Sequence, residues 1–109
     1  MGRTDLSAVG VIRLVPELKV SDLGASRAFY VDALGFSVDE KWETDGVVRG
    51  VMLRAGKCRV GLSQDDFAKG RDRQKGMGFR LYCVTTQDID QLAAAVREAL
   101  SALPARVRD

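Results

Sequence analysis

The stretch VSDLGASRAFYVDALGF, Val20 to Phe36, decides the fold because its hydrophobic period changes from that of a strand to that of a helix and back. Inside it, apolar residues recur at helical spacing, whereas the flanking segments alternate as strands do. Ser21 and Asp22 can accept hydrogen bonds from the free amides at the start of a helix. Gly35 can adopt the left-handed conformation that ends one. The stretch therefore predicts strand, helix, glycine cap and strand with no linker between them.

The segments on either side extend this pattern to one βαβββ unit. Before it, VIRLVPELKV, Val11 to Val20, alternates like a half-buried strand, with Leu14 on the apolar side and Pro16 as an irregularity. After it, we predict strands over 36–43, 47–54 and 58–63, with turns at TDG (44–46) and AGK (55–57).

A second, shorter copy of the pattern follows a polar connection. Phe79 to Leu100 repeats the strand, the capping cluster and the helix, and aligns Asp22 with Asp88 and Leu23 with Ile89. The prediction is a single α+β domain with unit one over about 11–63, a linker or lid over 64–77, a partial strand-helix unit two over 78–101 and a tail over 102–109.

Charge and hydropathy exclude several kinds of partner. Seventeen basic and fifteen acidic residues nearly cancel, which indicates no net attraction to nucleic acid or membranes. The basic residues of the connection are interleaved with acidic ones, which favours a solvated linker: Lys69, Arg71, Arg73 and Lys75. No apolar run approaches the roughly 20 residues that span a bilayer, and the start MGRTDLSAVG has no signal-peptide centre. We predict a soluble cytoplasmic protein that binds neither nucleic acid nor membrane.

The two cysteines lie far apart in the sequence. Cys58 and Cys83 both stand in apolar segments. This placement favours two buried thiols in a reducing compartment over a disulfide or a Cys-x-x-Cys site.

The chain resembles the vicinal oxygen chelate superfamily, which includes glyoxalases, bleomycin-resistance proteins and extradiol dioxygenases. The resemblance covers about residues 11–101 and lies in a strand ending in VSDL, a helix carrying AFY, then LGF, and later a strand followed by QDIDQLAAAV. It implies a cupped mixed sheet around one pocket, shared between units or between subunits. Against that pattern the chain is a C-terminally short member, so we expect exposed sheet edges and a homodimer.

The resemblance also implies where metal ligands would stand. Matching motif to motif puts three of these places at Val15, Gly61 and Leu81, and the fourth beyond Asp109. Aliphatic side chains and glycine offer no lone pair to a divalent cation, and the chain contains no histidine. We therefore predict no metal or other cofactor and no catalytic residue.

Strand parity predicts which side chains face the cup. Arg59 and Ser63 share parity with Gly61 and should face it, whereas Val60 and Leu62 should pack under the helices. By the same test, the second unit contributes Phe79, Leu81 and Cys83.

Two residues could carry ligand recognition. Glu17 could bind a cation in the cup, although a solvated glutamate paired with Arg59 or Lys19 is the favoured interpretation. Trp42, the single tryptophan, could stack on a planar or cationic ligand, or equally cover the core or a subunit contact. The predicted ligand-binding set is Val15, Glu17, Trp42, Arg59, Ser63, Phe79 and Leu81.

Three hypotheses about function remain open at this point. The first is a metal-independent binding protein similar to bleomycin-resistance proteins, which confers antibiotic resistance by removing a planar or cationic compound from solution. The second is a metalloenzyme of the glyoxalase or dioxygenase type. The third is a truncated copy with no pocket of its own.

Overall fold

The computed structural model describes residues 10–72, 74–75 and 78–105. Arg73, segment 1–9 and the end of the tail, 106–109, entered the predictions above and lie outside the described residues. The chain is an α+β structure with one open, four-stranded sheet in the order β1-β4-β3-β2, in which β1 runs parallel to β4 and the other pairs are antiparallel. The strands are β1 (Glu17–Val20), β2 (Ser37–Thr44), β3 (Val47–Ala55) and β4 (Cys58–Gln64); the helices are α1 (Leu23–Ala28), which continues as a π-helical segment (Phe29–Ala33), and α2 (Ile89–Ser101).

The predicted helix between Asp22 and Gly35 is confirmed, with one irregularity. The Asp22 carboxylate accepts a hydrogen bond from the Ala25 amide at 3.0 Å, and Gly35 ends the helical region with φ +80°. Between them the helix widens, and the Leu34 amide donates to the Phe29 carbonyl, five residues back, at 3.1 Å. The sequence pattern did not predict this π-helical segment.

Two tight turns connect β2, β3 and β4, as predicted. Asp45 and Gly46 have φ +52° and +77°, which is the type I′ geometry that Asp-Gly favours and that matches the twist of the flanking strands. The second turn lies between Ala55 and Cys58 and begins with Gly56 at φ +59°. Each turn has two central residues, so the three strands form one continuous antiparallel meander.

One face of the sheet carries the core. The buried cluster consists of Leu23, Val51, Leu53, Val60 and Leu62, and partly buried residues of the helical region, including Tyr30 and Val31, pack against it. The predicted burial of Val60 and Leu62 is therefore confirmed. Since side chains alternate along a strand, residues 59, 61 and 63 belong to the opposite face.

The first strand is shorter than predicted. It begins at Glu17, and Leu14, which we expected on the apolar side of the strand, is 90% exposed. Pro16 explains the boundary because it has no amide to donate to a ladder, although its carbonyl still accepts from the Gly61 amide at 2.9 Å. The strand prediction is therefore wrong for 11–16.

The predicted strand of unit two is also wrong. In the described residues after Gln64 there is no strand, and Tyr82 and Val84 are 86% and 84% exposed. A strand needs a paired edge, and neither edge strand of the sheet is paired with this segment. The radius of gyration, 17.2 Å, exceeds the roughly 13 Å expected for a compact chain of this length, so the molecule is elongated.

The helix of unit two forms as predicted. The Asp88 carboxylate accepts from the Gln91 amide at 3.0 Å and caps α2. The helix contacts the π-helical segment. Its apolar side is incompletely covered, since Ile89 is exposed and Leu92 and Val96 are only half-buried.

Both cysteines are exposed, so the prediction of buried thiols is wrong. Cys58 is the first residue of β4 and directly follows a turn. Cys83 lies in the segment that joins no sheet. An apolar local sequence therefore did not determine burial at either position.

The connection after β4 begins as a tightly bonded loop. Asp65 is 6% exposed, accepts from the Phe67 amide at 3.0 Å and forms an ion pair with Lys75 at 2.5 Å. The Gln64 side chain donates to the Ser21 carbonyl at 2.7 Å and accepts from the Leu23 amide at 2.9 Å. The start of the connection is thus attached to the junction of β1 and α1.

We expect Asp65→Asn to open this loop. The Lys75 hydrogen bond, then the Phe67 amide, lower the pKa of the Asp65 carboxyl. A carboxyl with a lowered pKa stabilises the folded state above its ordinary pKa, and this contribution is lost as the pH falls through the lowered value. Limited trypsin digestion near neutral pH should therefore cleave the variant after Lys69 or Arg71 about fivefold faster or more. Asp72→Asn, which removes the same charge from an exposed position, is the control, and equal acceleration in both variants would contradict the prediction.

Candidate functional site

The sheet face opposite the core gathers most of the polar residues predicted for the cup. We call it the open face, and its members are Glu17, Lys19, Ser37, Glu40, Trp42, Gly50, Met52, Arg54, Arg59, Gly61 and Ser63. In one row across the strands, Glu17 pairs with Gly61, Gly61 with Met52 and Met52 with Glu40. In the next row, Lys19 pairs with Ser63, Ser63 with Gly50 and Gly50 with Trp42.

The six-membered ring of Trp42 lies against Gly50 of the neighbouring strand. A methyl group on Gly50 would come within 2.5 Å of Cε3 of Trp42, so only a glycine leaves room for the ring. The ring is on the open face, away from the buried cluster, and the residue is 39% exposed. Trp42 therefore does not cover the core of this chain. Its aromatic surface is available for contact with a ligand or another subunit.

Glu17 lies at the other edge of the same face. A methyl group on Gly61 would be 3.5 Å from Cγ of Glu17 and 3.7 Å from Cε of Met52, so both side chains extend over the glycine. The predicted pairing of Glu17 with Arg59 is wrong, since Arg59 pairs with Asp39 at 2.7 Å. Within the described residues, the Glu17 carboxylate takes part in no ion pair.

The open face is wide. Adjacent strands are about 4.8 Å apart, so the three steps from β2 to β1 span about 14 Å. Glu17 is also two residues along β1 from Lys19, which is in the row of Trp42, so Trp42 and Glu17 are about 16 Å apart. On the two central strands between them, Gly50 and Ser63 present little side-chain bulk, whereas Gly61 is covered by the side chains of Glu17 and Met52. A molecule that touched both Trp42 and Glu17 would have to be elongated.

Three of the predicted ligand-binding residues do not join this face. Phe79 and Leu81, 52% and 39% exposed, belong to the segment that forms no strand. Val15 precedes β1 and is half-buried. Phe79 and Leu81 do not face the cup as predicted because the strand to which they were assigned is not formed.

Cys83 lies near the helical region of unit one. Burial raises the pKa of the Tyr30 phenol, and the charge of Cys83 adds to this effect. Tyr30 packs against the core. The predicted orientation of Cys83 toward the cup is therefore not seen in this chain.

The residues at the three positions where the family resemblance places metal ligands cannot bind a metal ion. Val15 and Leu81 have aliphatic side chains, Gly61 has none, and the first two lie outside the sheet. In the part of the chain that the structure describes, no three side chains of His, Cys, Asp or Glu come together. These positions therefore offer no set of side-chain donors for a divalent cation.

A second feature, which the sequence reasoning missed, lies at the end of the sheet near the β3–β4 turn. It is a cavity of about 300 Å³ lined by Arg13, Leu14, Val15, Arg54, Lys57, Cys58 and Arg59. We call it the basic cavity because four of these residues are cationic. The sequence RAGKCR, residues 54–59, was the available signal, since it places three of the four cations around one two-residue turn.

Asp39 organises one wall of the basic cavity. Its Oδ2 contacts a terminal nitrogen of Arg54 at 2.8 Å and one of Arg59 at 2.7 Å, and its Oδ1 accepts from Nε of Arg54 at 3.3 Å. The hydrogen bond from Arg54 is the main cause that lowers the pKa of the Asp39 carboxyl. Asp39 therefore stays ionised near neutral pH and draws the two guanidinium groups together.

Among the described helices, none has the length and apolar character needed to cross a membrane.

Comparison with known proteins identifies the relatives of this chain. The family model of the Glyoxalase/Bleomycin resistance protein/Dioxygenase superfamily matches residues 12–101. No curated protein matches the sequence at a significant level. Among solved structures, a virulence protein from Salmonella typhimurium superposes with a TM-score of 0.58 at 22% identity, over 84% of this chain and 71% of the other. TnmS3, an antibiotic-binding protein from Streptomyces sp. CB03234, superposes with a TM-score of 0.55 at 20% identity, over 85% and 72%. At these identities, the two structures support the fold.

Proposed function

Because the chain belongs to the glyoxalase/bleomycin resistance protein/dioxygenase superfamily, we propose that it is a cytoplasmic, metal-independent protein that binds and sequesters a planar or cationic compound. Sequestration needs no catalytic group, since a tight binder lowers the free concentration of its ligand by mass action. The antibiotic-binding function of TnmS3, which shares the fold, is consistent with this proposal. We further propose that the open face is the binding surface.

The observation that carries the proposal is the position of Trp42. Its six-membered ring lies against Gly50, and the residue remains 39% exposed. A ring held against a strand loses little freedom when a flat molecule stacks on it, and the electron-rich face of an indole attracts cations. Glu17, at the opposite edge of the face, supplies a carboxylate that is in no ion pair with the described residues. Together they favour an elongated, aromatic and positively charged compound.

The second hypothesis, a metalloenzyme, has less support. Its metal would have to use Val15, Gly61 and Leu81, whose side chains cannot coordinate. The third hypothesis is a truncated copy with no pocket of its own. It is compatible with ligand binding if a second copy of the chain completes the site.

We propose that the site is completed in a homodimer. The segment that we expected as the first strand of unit two exposes a row of large apolar residues, Phe79, Leu81, Tyr82 and Val84. Among the residues that the structure describes, none extends the sheet beyond its edge strands β1 and β2. An elongated molecule with an open sheet and an unpaired apolar segment is the form that an exchange of segments between two copies would use.

Binding of bleomycin and of ethidium, a planar cation, tests the proposed function. Isothermal titration should show saturable binding of at least one of them, with about one molecule per chain at saturation. Trp42→Ala should weaken that binding about tenfold, because it removes the stacking surface. Lys41→Ala, on the same strand but off the open face, should change it less than about twofold.

Two further measurements locate the ligand and exclude a metal. Trp42 is the single tryptophan, so its fluorescence should change along the same titration curve. Binding that leaves this fluorescence unchanged, or that survives Trp42→Ala, would contradict the assignment of the open face. One tightly held equivalent of nickel, zinc or iron per chain, measured after incubation and dialysis, would support the metalloenzyme instead.

A further inference from the structure

The basic cavity concentrates positive charge, and two of its four cations, Arg13 and Lys57, lie outside the open face. Arg13, Arg54, Lys57 and Arg59 line a space of about 300 Å³, and Asp39 is the carboxylate that pairs with two of them. Within the described residues, neither Arg13 nor Lys57 is in an ion pair. The formal charge around the cavity is therefore strongly positive. Like charges this close repel one another, and a bound anion would relieve that repulsion.

Asp39 holds Arg54 and Arg59 in place but engages only some of their hydrogen-bond donors. A guanidinium group has five N–H donors in a rigid fork. Arg54 commits two of its donors to Asp39, and Arg59 contacts Asp39 through one terminal nitrogen. Their remaining donors are available to a second oxyanion. Since Asp39 already orders these side chains, an anion would bind with little loss of side-chain freedom.

We propose that the basic cavity binds the oxyanion group of a small molecule, a phosphate or a carboxylate. Arginine recognises both groups through paired N–H···O bonds, and lysine adds a point charge. A volume of about 300 Å³ is at the lower end of ligand pockets and admits a phosphate with a small organic substituent. Arg54 and Arg59 belong to the open face as well, so Arg13 and Lys57 are the cations that distinguish the basic cavity from the proposed binding surface.

Cys58 provides a reporter inside the cavity. It lines the wall between Lys57 and Arg59, and its thiol is free and exposed. In a Cys83→Ser background, alkylation by iodoacetamide, a neutral reagent, can be followed at Cys58 alone. Saturating phenyl phosphate or benzoate should slow this reaction at least about fivefold, because a bound ligand blocks access to the wall. Benzyl alcohol, which has the ring without the anion, should not slow it.

The decisive variant is Arg13→Gln combined with Lys57→Gln. It removes two cations of the cavity and should weaken protection by phenyl phosphate at least about tenfold. Lys41→Gln with Lys69→Gln changes the net charge equally at exposed positions outside the cavity and should retain protection within about twofold. Thermal melts should show that both variants fold, since the substitutions are on the surface.

Several outcomes would overturn the proposal. These are a failure of both anions to protect Cys58, equal protection by benzyl alcohol, and equal loss of protection in the two double variants. Binding of phenyl phosphate that leaves Cys58 reactive would place the anion elsewhere and would equally refute the basic cavity. Arg13→Gln with Lys57→Gln leaves every residue of the open face unchanged, so it should not alter the Trp42-dependent binding of bleomycin or ethidium, and failure of one proposal can be told from failure of the other.

Discussion

Val84→Glu is expected to convert the proposed homodimer into a monomer and so halve the mass measured by light scattering at micromolar concentration. Val84 is 84% exposed in the single chain and belongs to an apolar segment that no strand covers. If a second copy covers this segment, a carboxylate there would be buried without a partner and would destabilise the interface by several kcal/mol. The exposed thiol of Cys83, one residue away, should be protected in the wild-type dimer and reactive in the variant.

A matched variant separates the interface from a general effect of charge. Ala94→Glu places the same carboxylate on an exposed position of α2, away from the helix side formed by Leu92 and Val96, and should leave the dimer intact. A wild-type protein that is monodisperse as a monomer would refute the homodimer outright. Full reactivity of Cys83 in the wild type would show that the segment 79–84 is not part of any interface.

Gly50→Ala is expected to lower the free energy of unfolding by about 1–3 kcal/mol in urea denaturation. The added methyl group would lie 2.5 Å from Cε3 of Trp42 and 3.0 Å from the Leu62 carbonyl oxygen. The backbone of β4 cannot move away without disturbing its own ladder, so the indole must leave the strand. The variant should therefore also lose the Trp42-dependent binding of bleomycin or ethidium.

Gly61→Ala is the control for this change. It is the same substitution on the same face, but its methyl group would meet Glu17 and Met52 at 3.5 Å and 3.7 Å, which are ordinary contacts. We expect a change within about 0.5 kcal/mol. If Gly61→Ala destabilised the protein as much as Gly50→Ala, the destabilisation would be caused by replacing a glycine in these strands and not by the clash with the Trp42 indole.

The sequence predicted the first unit well because its signals are local. Asp22 and Gly35 delimit the helical region through hydrogen bonds and backbone angles that depend on a few neighbouring residues. Asp45-Gly46 specifies its turn in the same way. The turns then fix the register of the meander, and register decides that Leu62 is buried while Ser63 lies on the open face.

The second unit was mispredicted because pairing is not local. Phe79 to Val84 has the composition of a strand, but a strand forms only where a free edge is within reach. The exposed cysteines have a related cause, since burial depends on what the rest of the fold places above a residue. The basic cavity escaped prediction because Arg13 was assigned to a strand, where it would have pointed to one side of a sheet.

The parallel pairing of β1 with β4 has a consequence for the order in which the sheet assembles. The β2–β3–β4 meander closes through two turns of two residues, whereas β1 can join β4 only after some forty residues of chain have folded back between Glu17 and Gly61. Short loops lose less entropy on closure, so the meander should form first and β1 should dock last. Hydrogen exchange should then be fastest in β1 among the four strands, and Glu17, the carboxylate of the open face, belongs to the strand that detaches most readily.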